Sequence, residues 1–214
     1  MTKTRIIGDI HGKMYDYRIV CDTDLPTIQV GDFGVGFAGD YWHEQVNEFH
    51  ASGQHRFIRG NHDKPSQCKS DMVGYISDGV MENDVMFIGG AWSIDNPNAP
   101  PGWYRRTVDL DWWTDEECSS KEFYQFAETY AMMKPRAMIT HDCPWSVSKE
   151  MFFNSGLLRG EHYITRTGQF FDTLMEIHQP DEWYFGHWHY TMQHKYGKTM
   201  FHCLGELDYV DVEL

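Results

Sequence analysis

The sequence predicts an α/β protein with mixed sheets, on three observations. Five short apolar runs each lead directly into a glycine or a polar cluster. Segments with helical spacing separate several of these runs, and two turn signals sit between further strand-like stretches. Alternating strand and helix is the mark of a sheet covered by helices, and the hairpins add antiparallel pairing.

The runs are Ile6-Ile7, Ile28-Gln29-Val30, Phe57-Ile58, Ala137-Met138-Ile139 and Trp183-Tyr184-Phe185. Each is too brief for a helix and apolar enough to be a buried strand. Helices are expected over residues 40–51, 121–133 and 167–178, the second announced by Ser119 and Glu122 at capping-box spacing. One hairpin turns at Glu82-Asn83-Asp84 before Val85-Met86-Phe87-Ile88, and the other at Tyr196-Gly197-Lys198 between residues 191–195 and 199–204. Residues 91–113 break the pattern. Asn96-Pro97-Asn98-Ala99-Pro100-Pro101-Gly102 permits no periodicity, while Trp103, Tyr104, Trp112 and Trp113 crowd around it, so a long loop lying over something is expected.

With 214 residues and 41% hydrophobic side chains, the chain can bury one sizeable core, and a single domain over residues 1–214 is expected. Thirty-two acidic residues against 18 basic ones give a net charge of −14, which repels polyanions and makes non-specific nucleic-acid binding unfavourable. Divalent cations in a carboxylate-rich site would reverse that field locally. Cys21, Cys68, Cys118, Cys143 and Cys203 are odd in number and form no C-x-x-C pair, which fits free thiols in a reducing compartment. No apolar run reaches membrane-spanning length, and the stretch through Lys3 and Arg5 leaves no room for a signal sequence. A cytoplasmic location without a membrane partner is the expectation; nothing in the sequence indicates an oligomeric state.

Metal-binding polar groups stand after every one of the five runs: Asp9 and His11, then Asp32, Asn61 with His62, His141, and finally His187 and His189. Ligands collect beyond the carboxyl ends of strands in α/β sheets, so these residues can converge although they are distant in sequence. Any one of them alone is more often structural or solvated. Asp oxygen, imidazole nitrogen and amide oxygen suit borderline divalent ions, and a carboxylate such as Asp32 can bridge two of them. Cys143 reads as a small buried thiol and the other seven histidines as surface or packing residues.

Gly8-Asp9-Ile10-His11-Gly12, Gly31-Asp32, Gly60-Asn61-His62-Asp63, Thr140-His141 and Gly186-His187-Trp188-His189 resemble, in order, the motif set of calcineurin-like metallophosphoesterases. The resemblance covers residues 8–189 and implies a four-layer sandwich, two packed mixed β-sheets flanked by helices. It implies two divalent metal ions, Mn first, with Fe, Zn, Ni or Mg as the others. Asp9, His11, Asp32 and His189 would hold one ion, and Asp32, Asn61, His141 and His187 the second. His62 matches the family's catalytic histidine, which contacts the phosphate or protonates the leaving oxygen. Asp63 stands where it can orient that ring or, equally, cap the loop.

The resemblance implies hydrolysis of a phosphate mono- or diester by a hydroxide bridging two ions, on a small phosphorylated molecule or nucleotide. A protein serine/threonine phosphatase or a nuclease of the same superfamily is the alternative, and a non-catalytic interaction scaffold is an alternative of another class. Gly31-Asp32-Phe33-Gly34-Val35-Gly36 lacks the Asp-Arg-Gly of the phosphoprotein phosphatase branch, although Arg59 precedes Gly60-Asn61-His62 as it does there. Residues 89–95 followed by Arg105-Arg106 and Trp112-Trp113 resemble a segment of uncharacterised bacterial and phage members. The candidates for phosphate contact are therefore Asn61, Arg59, Arg105 and Arg106, with solvated loop arginines as the plain alternative for the last two. Tryptophans of this loop can stack on a nucleobase, but packing is the commoner role.

Overall fold

A computed structural model of the chain describes residues 2–37, 40–102, 104–159 and 163–214. Trp103, counted among the loop aromatics, and His162, one of the seven other histidines, lie outside the described residues. The chain runs β1 (Lys3–Ile7), α1 (Met14–Val20), β2 (Thr27–Gln29), α2 (Asp40–His50), β3 (His55–Phe57), α3 (Pro65–Asp71), β4 (Val80–Glu82) and β5 (Val85–Ile88). It continues as α4 (Ser120–Met133), β6 (Ala137–Thr140), α5 (Trp145–Ser148) with a π-helical segment (Lys149–Asn154), α6 (Arg166–Ile177), β7 (Glu182–Phe185), β8 (Met192–Tyr196), β9 (Thr199–Cys203) and β10 (Tyr209–Glu213).

All five apolar runs fall in or against strands, and the three expected helices form with ends shifted by one residue. Ser119 and Glu122 close the capping box on α4. The first hairpin turns on Asn83 and Asp84, both at positive φ, a geometry these two residue types tolerate. The sequence reading missed α1, α3, α5 with its π segment, and β10. The first three are a turn or two long and α1 has no side-chain cap, so no periodicity is long enough to show them. β10 is a half-exposed edge strand without a buried face.

Both sheets are mixed. β10 pairs antiparallel with β1, and β1, β2 and β3 run parallel. The six-stranded sheet has the order β4-β5-β6-β7-β9-β8, parallel from β5 to β9 and antiparallel at both edges. Three apolar layers hold the molecule together. Ile6, Ile28, Val30 and Ile58 of the first sheet pack against Val85, Phe87, Ile139 and Tyr184 of the second. Behind the first sheet, Ile7, Phe33 and Phe57 meet Tyr17 of α1 and Val46 of α2. Behind the second, Met138, Trp183 and Phe201 meet Phe126 and Tyr130 of α4 and Phe171 and Leu174 of α6. The order is helices, sheet, sheet, helices, a sandwich with two sheets at its centre. All five cysteines are buried and free.

Candidate functional site

The carboxyl ends of β1, β2 and β3 in one sheet and of β6 and β7 in the other open on the same side of the molecule. Backbone bonds fasten their loops to each other. Ile10 and His11 N–H donate to the Asp32 carbonyl, Gly12 N–H to Phe33, and Gly186 N–H to His141. Among the described residues, four of the nine non-glycine residues with positive φ are expected donors: His11, Asp32, His187 and His189. For non-glycine residues this conformation costs on the order of 1–3 kcal/mol each, and it persists where surrounding structure imposes it, commonly at functional sites.

The loops bring the expected donors together. Asp9, His11, Asp32 and His189 each present one ligand atom, and these atoms lie within 4.8 Å of one another, so the group can hold a metal ion. His11 Nε2 stands 3.0 Å from His189 Nε2, and His189 Nε2 stands 3.2 Å from Asp9 Oδ2. Donors about 2.1 Å from one ion in a tetrahedral arrangement lie about 3.4 Å apart, within the 3.0 to 4.0 Å spread of these atoms. On the other side of Asp32, His141 Nε2 lies 3.3 Å from Asp32 Oδ1 and 3.0 Å from Asn61 Oδ1. The His187 ring centroid is 5.0 Å from that of His141. Asp32 thus turns Oδ2 toward His11 and Oδ1 toward His141.

The backbone is shaped for this approach. A Cβ at Gly60 would collide with Asp32 Oδ1, and one at Gly186 with Asp9 Oδ1. His141 Nδ1 faces the Val30 carbonyl at 2.8 Å. A carbonyl only accepts, so Nδ1 carries a proton, and Nε2 is the ring nitrogen presented to Asp32 and Asn61. Asn61 is itself held: its Nδ2 donates to Ser93 Oγ at 2.9 Å, and Ser93 donates N–H and hydroxyl to the two oxygens of Glu116 at 2.9 and 2.5 Å. This leaves Asn61 Oδ1 as the atom presented to the site. Sequence reasoning missed Ser93 and Glu116 as supports; Ser93 lies in the glycine-led segment 89–95 it singled out, but nothing linked that segment to Glu116.

Asp9 and Asp32 are fully buried, and among the described residues their ion-pair partners are histidines. Burial alone would raise the Asp32 carboxyl, yet His141, His62 and His11 hold it well below the ordinary range. Burial works to lower His141, but Asp32, followed by Asp9 and the Val30 carbonyl, pushes it up to about 10. Its hydrogen bond to Asp9 raises His189 as well. Two buried carboxylates therefore draw positive charge to the space between them, which is what a cation site must do.

His62 faces this group, with Nε2 3.7 Å from Asp32 Oδ2 and in contact with Arg106 Nη2. Burial, with help from Arg106 and His11 and against Asp32, lowers its pKa to about 4. The 91–113 stretch does lie over something. Arg106 is locked to Asp95 by a 2.8 Å ion pair, and Trp113 Nε1 donates to the His62 carbonyl. Arg105 is exposed, which leaves Arg106 as the loop arginine at the site.

The structure corrects the expectation for Arg59 and decides between the two readings of Asp63. Arg59, a candidate for phosphate contact, is buried away from the donors. Its guanidinium donates to Asp78 at 2.8 Å, to the Glu116 and Asp115 carbonyls and to Cys118 Sγ, and at 2% exposure it does not line the cavity that opens on the donors. Asp63 does not orient the His62 ring. Its carboxylate accepts backbone N–H bonds from Phe33, Gly34, Val35 and Gly60, so it ties the Asp32 loop to the Asn61 loop. An arginine next to a motif and an aspartate next to a histidine look the same in sequence whichever way the side chain points. Cys143 is buried, as expected of a small thiol.

A cavity of about 600 Å³ opens on the site, lined by Asp32, Asn61, His62, Arg106, His187 and His189 at one part and mainly by aromatic and aliphatic side chains elsewhere. Among the described residues no helix is long and apolar enough to cross a membrane. Comparison of the chain with protein-family models and with curated proteins returned no match.

Proposed function

We propose that the protein is a phosphoesterase dependent on two divalent metal ions, one held by Asp9, His11, Asp32 and His189 and the other by Asp32, Asn61, His141 and His187. The observation that carries this reading is the double-faced Asp32, whose two oxygens address histidines of two separate donor groups. The resemblance to calcineurin-like metallophosphoesterases supports it. Divalent ions held there would polarise phosphoryl oxygens and acidify water.

The chain's own residues then do the rest. The Val30 carbonyl keeps His141 in the ligating tautomer, and the Glu116–Ser93 pair keeps Asn61 Oδ1 inward. His62 and Arg106, side by side at the mouth of the donor group, meet the phosphoryl and leaving oxygens. The arginine's planar fork offers paired N–H groups to oxyanions. Net hydrolysis joins a water oxygen to phosphorus, breaks the ester P–O bond and leaves a proton on the departing alcohol. The substrate is a small phosphorylated molecule; the charge of −14 disfavours a long polyanion.

Asp32→Asn tests the reading. Asparagine tolerates the left-handed backbone at this position (φ 54°), so the fold should survive. With Mn and an aryl phosphate, turnover should fall by at least about 100-fold, and metal content should drop from about two ions per chain. An unchanged rate overturns the proposal. A wild-type chain that takes up no metal and stays inactive with added Mn would identify a scaffold. Aryl monoester, aryl diester, dinucleoside polyphosphate and phosphopeptide substrates then separate small-molecule esterase from protein phosphatase or nuclease.

A further inference from the structure

A phosphoryl group fills only a small part of the 600 Å³ cavity that opens on the donors, a volume within the roughly 300–1,000 Å³ of pockets for whole organic ligands. Its remaining walls are unusual in composition. Trp92, Trp145, Trp188, Tyr163, Phe153 and Leu158 line them.

These walls are joined to the chemistry through the backbone. Trp188 lies between His187 and His189, and its ring is fixed by a stack on Phe152 at 4.5 Å and an Nε1–H bond to Asp142 at 2.9 Å. Trp92 precedes Ser93, the residue that holds Asn61, and its ring meets Tyr163 at 5.1 Å. Phe153 and its neighbour Phe152 sit on the π-helical segment Lys149–Asn154, an irregularity that appears frequently at functional sites. Aromatic surface therefore begins one residue away from the groups that would grip the phosphate. Five aromatic rings stand in these walls beside Ile94, Pro100 and polar groups such as Asp142 and Arg159, and a pocket that sets aromatic faces next to a few convergent polar groups recognises a flat ring by its faces and a charged group at one end.

We propose that this cavity binds the organic half of the substrate, and that the substrate is a small phosphate ester whose ester-borne group carries a flat aromatic ring up to nucleobase size. The proposal rests on the phosphoesterase reading for the position of the phosphoryl group; the ring pocket is argued from the cavity itself. Nucleobases and simple aryl groups share the chemistry, and the test separates them.

Phosphonates serve as probes because their P–C bond is not hydrolysed. Mn-loaded full-length protein is titrated with methylphosphonate, benzylphosphonate and a nucleoside 5′-phosphonate, followed by calorimetry and by the fluorescence of the pocket tryptophans. Stacking on such walls should make at least one aromatic phosphonate bind about 10-fold or more tightly than methylphosphonate. The tighter of the two identifies the source of the ring. Trp92→Leu and Leu158→Ala should each bring the aromatic-to-methyl affinity ratio down toward one; if either fails to fold, Trp92→Phe serves in its place and should lower the ratio in part. Equal affinities for methyl and aromatic probes overturn the proposal, as does a ratio unmoved in every folded wall variant. Failure here is distinguishable from failure of the phosphoesterase reading. Turnover of aryl and alkyl phosphates without aromatic preference leaves the esterase intact and removes the pocket. Binding of the phosphate-free nucleoside as tightly as its phosphonate, with no turnover of any ester, removes the esterase.

Discussion

Replacing Arg59 by leucine separates the two roles its position allows. The guanidinium is 2% exposed and neutralises Asp78, whose side chain is 4% exposed. It also satisfies the carbonyls of Glu116 and Asp115. Burial works against the charge on Arg59, but Asp78 keeps its pKa well above the ordinary value. In Arg59→Leu, the Asp78 carboxylate keeps the Gly89 N–H bond and loses its cation. Stranding a buried charge costs about 3–5 kcal/mol, and an orphaned buried carbonyl about 1–3 kcal/mol. The two overlap, so a loss of about 4 kcal/mol is expected. Against a total of about 5–15 kcal/mol this is large but survivable. Urea unfolding at neutral pH measures it. Adding Asp78→Leu removes the stranded charge and should restore half or more of the loss, since an apolar pair often replaces a buried ion pair without penalty. A loss below about 1 kcal/mol, or a double variant no more stable than the single one, would refute the structural role and reopen phosphate contact for Arg59.

Three further outcomes follow from the same geometry. Arg106→Gln should lower kcat with an aryl phosphate about 100-fold while metal content stays at the wild-type level, measured by steady-state kinetics and elemental analysis; unchanged kcat would remove Arg106 from the site. Gly60→Ala places a methyl group against Asp32 Oδ1 and the Asp32 backbone nitrogen and should weaken metal uptake by at least about 10-fold in a chelator competition, because both the carboxylate and its loop must shift. His50 is buried between Tyr17 and the Val73 carbonyl, and burial, opposed by that carbonyl and aided by His55, lowers its pKa from 6.5 to about 4. Below 6.5 the unfolded chain takes up a proton that the folded one refuses, so this stability is whole above 6.5 and is lost as pH falls toward 4. At about 1.36 kcal/mol per unit the loss approaches about 3 kcal/mol. Unfolding of wild type and His50→Gln at pH 7 and pH 4.5 should diverge in that direction; parallel loss in both would rule it out.

The gathering of these side chains was legible because each follows a strand, and a strand end fixes where a residue goes even when its partners are far along the chain. Asp9 and His189 are 180 positions apart and still meet, since β1 and β7 end on the same side. The supports were not legible. Ser93 and Glu116 act through one side chain each, and no local pattern ties a serine to a glutamate 23 residues on. Arg59 was misread for the same reason, and for Asp63 the sequence left ring orientation and loop capping equally open. Sequence neighbours of a motif share its loop but not its direction, and at 0% exposure Asp63 spends both oxygens on backbone N–H groups.

The left-handed donors point to why the site needs those supports. His11, Asp32, His187 and His189 occupy backbone conformations that cost energy in isolation, so the loops would relax if nothing held them. Asp63 binds the Asp32 loop to the Asn61 loop through four N–H bonds, and the Asp32 and Phe33 carbonyls bind the His11 loop in turn. Removing the Asp63 carboxylate would therefore let the strained backbone at Asp32 relax and carry that side chain out of place. The aspartate beside His62 serves the site by fixing backbone: it holds a loop geometry that the clustered side chains could not keep by themselves.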